Sequence, residues 1–129
     1  MCYISPKDSW KVSLNDKLVL SSTKEDEASN TKKISSTVLK KNGELYVKFS
    51  PALQAKGWRR SILIFDEDDN EVIRQDGGNI LRVDNKKLLN LFSEKKQIRI
   101  FTTLTPTDPN IAARTRIRRV HLCTLELTN

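Results

Sequence analysis

The stretch WKVSLNDKLVL, residues 10 to 20, contains two short runs in which apolar and polar residues alternate. Side chains at every second position of a β-strand share one face, so each run reads as a strand with one apolar face. The Asn15-Asp16 pair between the runs has the chemistry of a tight turn. The stretch therefore predicts a β-hairpin. Its apolar positions are Trp10, Val12 and Leu14, then Leu18 and Leu20.

Further strand-like runs extend in both directions from this pattern. Asn42-Gly43 lies between two such runs in KISSTVLKKNGELYVKF, residues 33 to 49. Because a type I′ turn needs a positive φ at both central positions, this dipeptide predicts a second hairpin. The acidic turn DEDDN, residues 66 to 70, predicts a third between WRRSILIF and NEVIR. Later strands are predicted at NILRV, at QIRIFTTL and from about Arg116 to Leu127.

One helix is predicted near residues 85 to 93, with Asp84 as its N-cap. Its apolar residues fall on a single stripe, at Leu88, Leu91 and Phe92. The segment SPALQAKGW, residues 50 to 58, predicts a single helical turn that ends at Gly57. Residues 21 to 33 show no periodicity and predict a mobile surface loop. The segment TPTDPN, residues 105 to 110, predicts an open loop.

Eight or nine short strands with one inserted helix predict an all-β, mainly antiparallel fold. We expect a single domain over residues 1–129, in the form of an immunoglobulin-like or transthyretin-like β-sandwich. The short helix near residues 85-93 is inserted before the penultimate strand. Such folds host many unrelated functions, so the architecture alone does not indicate one.

The composition favours a basic protein that acts on anionic partners. The formal net charge is +7, which suits nucleic acid, acidic proteins or anionic surfaces. The start MCYISPKDSW has no apolar signal region, and no apolar run is long enough for a membrane span. We expect a monomeric, cytoplasmic protein. The alternative is a periplasmic lipoprotein, if Met1-Cys2 is a mature start cloned behind a new methionine.

A calcium site can be drawn on the acidic turn, since Asp66, Asp68 and Asn70 have the spacing that opens an EF-hand loop. The pattern fails at Glu71, where the loop needs glycine, and at Gly77, where it needs a bidentate glutamate. An ordinary acidic β-turn is the preferred interpretation. A looser calcium site completed by another loop stays as the alternative.

Catalytic signals are weak throughout the sequence. His121 and Cys123 lie two residues apart, but zinc needs three or four ligands and a catalytic cysteine needs an activated thiolate. Cys123 is instead predicted to be a small buried apolar residue beside Leu125 and Leu127. Phosphate-binding loops and nucleophile motifs are missing. We therefore expect no enzyme activity, metal or cofactor, and keep a small hydrolase or transferase with an unfamiliar site as a minor alternative.

The most distinctive feature is the basic stretch IAARTRIRRVHLCTLEL, residues 111 to 127. On a strand, Arg114, Arg116 and Arg118 would share one face. A β-bulge at Arg118-Arg119 would keep the charges outside while turning the apolar residues Ile117, Val120 and Leu122 inward. Such a face either pairs with carboxylates, such as those of Asp84 or Glu71, protects a sheet edge, or binds a partner.

Two functions follow from this basic strand. The first is a non-catalytic interaction or adaptor module that docks an acidic partner protein through Arg114, Arg116, Arg118 and Arg119. The alternative is sequence-nonspecific binding to the backbone of duplex nucleic acid. Single strands are disfavoured, because binding them needs exposed aromatic rings. Most aromatic residues here fall at apolar-pattern positions: Trp10, Phe49, Phe65, Phe92 and Phe101.

Overall fold

The computed structural model describes residues 8–52, 56–92 and 95–128, which form nine strands and three helices. The strands are β1 (Ser9–Leu14), β2 (Lys17–Ser22), β3 (Thr31–Ser35), β4 (Glu44–Ser50), β5 (Trp58–Asp66), β6 (Glu71–Asp76), β7 (Ile80–Asp84), β8 (Gln97–Pro106) and β9 (Val120–Thr128). The helices are α1 (Ser36–Leu39), α2 (Asn85–Phe92) and α3 (Pro109–Ala112).

The strands form two sheets, which confirms the prediction of a mostly β chain. One sheet has four strands in the order β2-β1-β4-β7, and every neighbouring pair is antiparallel. The other has five strands in the order β3-β9-β8-β5-β6. In that sheet β3 and β9 are parallel, whereas the other pairs are antiparallel. The chain crosses between the sheets five times, after β2, β3, β4, β6 and β7.

A continuous apolar core contains residues from both sheets and from α2. Trp10 on β1 stacks on Phe49 of β4, with ring centroids 6.0 Å apart. The indole nitrogen of Trp10 donates a hydrogen bond of 2.9 Å to the carbonyl of Leu122 in the other sheet. Because a buried indole N–H needs a partner, this bond links the two layers at their centre.

The hairpin predicted from residues 10 to 20 is confirmed. β1 and β2 pair directly, and both Asn15 (φ 53°) and Asp16 (φ 67°) have the left-handed backbone of a type I′ turn. The hairpin around the acidic turn is also confirmed, since β5 pairs with β6. The predicted strands at NILRV and QIRIFTTL correspond to β7 and β8.

The hairpin predicted at Asn42-Gly43 is wrong. β3 pairs with β9, whereas β4 pairs with β1 and β7. Between β3 and β4, the Ser35 side chain accepts a hydrogen bond from the Thr37 N–H and caps α1. The start of α1 thus ends β3 early. The strand before α1 and the strand after it, β3 and β4, belong to different sheets.

Gly43 has another structural role, a close approach to the β1–β2 turn. A Cβ atom on Gly43 would lie only 1.9 Å from Oδ1 of Asn15. That oxygen accepts a hydrogen bond of 2.9 Å from the side chain of Asn85, the first residue of α2. The glycine therefore makes room for a polar contact that ties α2 to the β1–β2 hairpin.

The predicted helix near residues 85–93 corresponds to α2, and Asp84 caps it as expected, accepting a hydrogen bond of 2.8 Å from the Lys87 N–H. The helical turn predicted in SPALQAKGW includes residues 53–55, which lie outside the described residues. The open loop predicted in TPTDPN is wrong in part, because α3 begins there. Asp108 caps α3, and Pro109 occupies a first-turn position, where its missing N–H costs nothing.

The last strand begins at Val120 and not near Arg116, so the prediction of its start is wrong. Residues 113–115 continue from α3 in hydrogen-bonded turns, for example Thr115 N–H to the carbonyl of Ala112. The bulge predicted at Arg118-Arg119 is also wrong. Phe101 pairs with His121 and Ile100 with Cys123, so the extra residue in β9 is Leu122. The residues from Val120 to Leu125 are all buried. Side chains on both faces of this part of β9 are therefore covered, which accounts for the lack of a polar face in the sequence there.

The segment predicted as a mobile loop, residues 21–33, is partly strand. β2 extends to Ser22 and β3 starts at Thr31. Asn30 between them is buried, and its carbonyl accepts a hydrogen bond of 3.0 Å from the Thr124 N–H. Its mobility stays a prediction. No helix among the described residues has the length and apolar character of a membrane span.

Candidate functional site

The four arginines proposed from sequence occupy an irregular segment between α3 and β9, not a strand face. Arg114 is exposed, and its Nε donates a hydrogen bond of 3.2 Å to the carbonyl of Asn110. Arg116 is exposed and has no ion pair or hydrogen bond with another described residue. These two guanidinium groups are therefore available to a partner.

Arg118 is engaged by a distant carboxylate. Its guanidinium forms an ion pair with Glu25, in the segment between β2 and β3. The other carboxylate oxygen of Glu25 accepts a hydrogen bond of 2.8 Å from the backbone N–H of His121. Glu25 thus holds both the end of the arginine segment and the start of β9.

Arg119 is engaged even more fully. It donates a hydrogen bond of 2.9 Å to Asp69, which also accepts one of 2.7 Å from Arg99. The guanidinium carbon of Arg119 lies 4.3 Å from the ring centroid of Phe65 and 4.6 Å from that of Phe101. The hydrogen bond from Arg119 lowers the pKa of Asp69 below its ordinary value. The segment's last arginine therefore covers a small apolar cluster on the outer side of the five-stranded sheet.

The carboxylates expected opposite the arginines were the wrong ones. Asp84 caps α2, and Glu71 pairs with Arg74 at 2.8 Å. The actual partners, Glu25 and Asp69, lie 93 and 50 residues away from their arginines. No local sequence pattern indicates such pairs.

The acidic turn is a β-turn whose carboxylates are already occupied. Asp66 accepts hydrogen bonds of 2.9 Å from the N–H groups of Asp68 and Asn70. The bond from Asn70 is the main reason that the pKa of Asp66 lies below its ordinary value. Asp68 forms an ion pair with Lys95. Asp69 binds two arginines, so three cations of the same chain contact the carboxylates of the turn.

His121 and Cys123 do not form a dyad. Cys123 belongs to the core between the sheets, as predicted, and burial raises its pKa to about 12. His121 instead packs edge-on against Phe101 on the outer side, with centroids 5.5 Å apart. The extra residue Leu122 causes this separation, because it breaks the alternation that would place both side chains on one face. Cys123 thus has neither a thiolate nor a base.

Sequence reasoning missed two exposed apolar residues beside the free arginines. Ile111 and Ile117 are 46% and 38% exposed. We call these two residues, together with exposed Arg114 and Arg116 of the same short segment, the Arg-Ile surface. A signal was present, since both isoleucines interrupt a polar stretch without strand or helix periodicity, but only the structure shows that they are not buried.

Neither a protein-family model nor a curated protein sequence matches this chain. The chemistry of the described residues is therefore the basis for a function. Its main elements are the open Arg-Ile surface and the two ion pairs, Arg118–Glu25 and Arg119–Asp69, that anchor its C-terminal end.

Proposed function

We propose that this protein is a non-catalytic interaction module that docks an acidic partner protein on the Arg-Ile surface. The observation that carries the proposal is that two exposed arginines and two exposed isoleucines fall within the seven residues 111–117. Arginine is enriched at the energetic centres of protein interfaces, and exposed apolar side chains beside it offer area that a partner can bury. A partner with carboxylates around an apolar patch would complement it.

The two anchored arginines have a supporting role in this proposal. Arg118 and Arg119 are held by Glu25 and Asp69, so binding a partner through them would first require breaking those pairs. The same pairs fix the C-terminal end of an otherwise irregular segment. A segment that is already ordered loses less conformational entropy on binding. Of the four arginines predicted from sequence, we therefore assign contact with the partner to Arg114 and Arg116.

The second candidate function is sequence-nonspecific binding to duplex nucleic acid. The net charge of +7 favours it, because phosphate contacts need only basic side chains. The exposed isoleucines favour the protein partner instead, since apolar area contributes little to contacts with phosphates. We place duplex binding second for this reason.

We also propose that the two sheets form an immunoglobulin-like sandwich, with a transthyretin-like sandwich as the alternative. The strand order supports the immunoglobulin-like form. In that fold one sheet contains strands A, B and E, and the other contains C′, C, F and G. Here β1, β4 and β7 neighbour one another in one sheet, and β6, β5, β8 and β9 in the other. Cys123 is a free thiol, which is compatible with the cytoplasmic location that we also propose for a monomer.

The proposal can be tested by selecting binders from a random-peptide library against the purified protein. We expect enrichment of peptides that carry Asp or Glu next to a large apolar residue. Arg116→Glu should weaken a selected peptide by at least about tenfold, the effect of one charge-assisted contact. Lys11→Glu makes the same charge change on the exposed side of β1 and should leave binding unaltered. Equal binding by the two variants, or selection without acidic peptides, would reject the Arg-Ile surface.

A duplex titration separates the second candidate. Contacts from Arg114 and Arg116 to two phosphates imply a slope of roughly −2 in log K against log salt, at about −0.9 per contact. If duplex binding persists at physiological salt with such a slope, and Arg116→Glu makes it shallower by about one unit, the nucleic-acid function is favoured. We expect negligible duplex binding under those conditions.

A further inference from the structure

A cleft opens at one end of the two sheets, where β4 ends and β5 begins. One cavity of about 360 Å³ is lined by residues that include Lys56, Trp58, Arg59, Arg60 and Leu104. A second cavity, of about 610 Å³, lies beside it and adds Lys48. Both share Pro51 and residues 77–79, so we treat them as one feature, the end cleft.

The charge of the end cleft has a single sign. Lys48, Lys56, Arg59 and Arg60 contribute to its walls, and no Asp or Glu is present among the described residues that line it. Asp76 directly precedes the lining residue Gly77, and its carboxylate is engaged by hydrogen bonds from Ser61 at 2.7 Å and from Arg74 at 3.1 Å. A concave surface lined by one sign of charge concentrates its field and attracts ions of the opposite sign.

The floor of the cleft is apolar and partly rigid. Trp58 and Leu104 are half-buried and line it. The guanidinium carbon of Arg60 lies 4.0 Å from the ring centroid of Phe49, and its Nη1 donates a hydrogen bond of 3.1 Å to Thr102. Stacking and hydrogen bonding fix this cation before any ligand arrives, so less entropy is lost on binding.

The loop that borders the cleft contains two glycines in a backbone conformation that favours glycine. Gly77 (φ 77°) and Gly78 (φ 87°) have left-handed backbones, which a residue with a side chain adopts only with strain. The Gly77 N–H donates a hydrogen bond of 2.8 Å to the carbonyl of Arg60, so the loop is tied to the start of β5. A Cβ on either glycine would meet nothing within 4 Å, so this side of the cleft is open.

We propose that the end cleft binds a small organic anion that carries both a phosphate and a flat ring, as a nucleoside monophosphate does, in which a ribose joins the two. The phosphate contacts Lys56 and Arg59 at the rim, and the ring packs against Trp58 and Leu104. The cavity volume of about 360 Å³ is in the range of small-molecule sites, roughly 300 to 1,000 Å³. This site shares no residue with the Arg-Ile surface, so it stands independently of the proposed function.

Three ligands test the two halves of this chemistry in calorimetric titrations of the full chain: adenosine monophosphate, adenosine and inorganic phosphate. The monophosphate should bind at least about tenfold more tightly than either of the others, because it alone uses both the cations and the rings. It should also change the fluorescence of Trp58. Trp10 is fully buried and provides a constant background. Equal affinity for the monophosphate and inorganic phosphate would overturn the ring contact.

A fourth ligand, a 5′-phosphorylated single-stranded oligonucleotide, distinguishes a free nucleotide from a strand end. Binding of the oligonucleotide without binding of the monophosphate would overturn the proposal of a small ligand. Comparable binding of the two would support it, because only the terminal nucleotide then contributes.

Variants assign the binding to the cleft. Arg59→Gln changes an exposed side chain and should weaken the monophosphate about tenfold, the value of one charge-assisted contact. Trp58→Leu should remove both the fluorescence change and the advantage over inorganic phosphate. Lys17→Gln alters the net charge equally at the opposite end of the four-stranded sheet and should leave the affinity unchanged. If Arg59→Gln and Lys17→Gln bind alike, the end cleft is not the site.

Discussion

The guanidinium of Arg119 donates a hydrogen bond of 2.9 Å to Asp69 and, on the same side of the sheet, covers the rings of Phe65 and Phe101. An arginine that belongs to the most basic stretch of the sequence is therefore part of the packing. Its aliphatic stem and flat guanidinium suit this position, because both can lie on apolar surface while the charge keeps a carboxylate partner. Arg116, three residues earlier, makes no such contact with the described residues.

Truncation should separate these two arginines. Arg119→Ala removes two ring contacts and should lower the free energy of unfolding by about 1 kcal/mol, whereas Arg116→Ala should change it by less than about 0.5 kcal/mol. Urea denaturation of both variants against wild type measures the difference. Equal unfolding midpoints for the two variants would show that Arg119 is a surface charge like any other.

The contacts of Glu25 should limit proteolysis of residues 21–33. In the wild type we expect the first tryptic cut within this segment, because it has few apolar anchors. Glu25→Ala removes the contacts with Arg118 and with the His121 N–H, so cleavage after Lys24 should become several-fold faster.

Glu27→Ala is the matched control, since Glu27 is exposed and its carboxylate forms no hydrogen bond or ion pair with another described residue. Mass spectrometry of brief digests follows the rates. A wild-type segment that resists trypsin while other sites are cut would show that residues 21–33 are packed and not mobile.

His121 should make stability depend on pH in the mildly acidic range. Burial lowers the pKa of His121 below its ordinary value of 6.5, although the charges of Glu27 and Glu25 act in the opposite direction. The unfolded chain then binds a proton more readily than the folded one, so the free energy of unfolding should fall as pH drops below 6.5.

His121→Gln removes this titration and keeps a polar group near the Thr124 hydroxyl, which lies 2.7 Å from Nε2 in the wild type. Urea denaturation between about pH 7.5 and pH 5.5 should give a flatter dependence for the variant. The lowered pKa values of Asp66, Asp69 and Asp76 act in a separate window, below their ordinary value of 3.8. The same slope in both proteins would mean that His121 titrates as it does in the unfolded chain.

Cys123 should be unreactive while the protein is folded. Its side chain is fully buried and its pKa is about 12, so thiolate is scarce near pH 8. In a Cys2→Ser background, a thiol reagent should label the protein only after urea is added. Cys123→Ser should lower the free energy of unfolding by about 1–3 kcal/mol, because it buries a hydroxyl in an apolar core. Fast labelling of the native protein would contradict the buried position.

Calcium should not stabilise the protein. Asp66, Asp68 and Asp69 already bind backbone N–H groups, Lys95, Arg99 and Arg119, and a metal would have to displace them. We expect the thermal midpoint to be the same in millimolar calcium and in EDTA. A midpoint that rises with calcium in the wild type and not in Asp68→Asn would instead support the looser calcium site.

Local chemistry was sufficient for the elements whose signals lie within a few residues. The β1–β2 hairpin needs only alternation and two residues that tolerate positive φ, and Asn15 and Asp16 supply them. Asp84 and the apolar stripe of α2 likewise lie within one short stretch of sequence. The burial of Cys123 followed from its apolar neighbours.

The sequence by itself thus determined a basic, mostly β chain, its two tight hairpins and its longest helix, because backbone propensity and apolar periodicity act over short distances. Only the tertiary structure decided the partner of each strand and each charge. Asn42-Gly43 precedes a strand that joins a different sheet from β3, since burying both apolar faces outweighs a local turn preference. Arg118 and Arg119 meet carboxylates 93 and 50 residues away, and such pairs exist only after distant parts of the chain have come together.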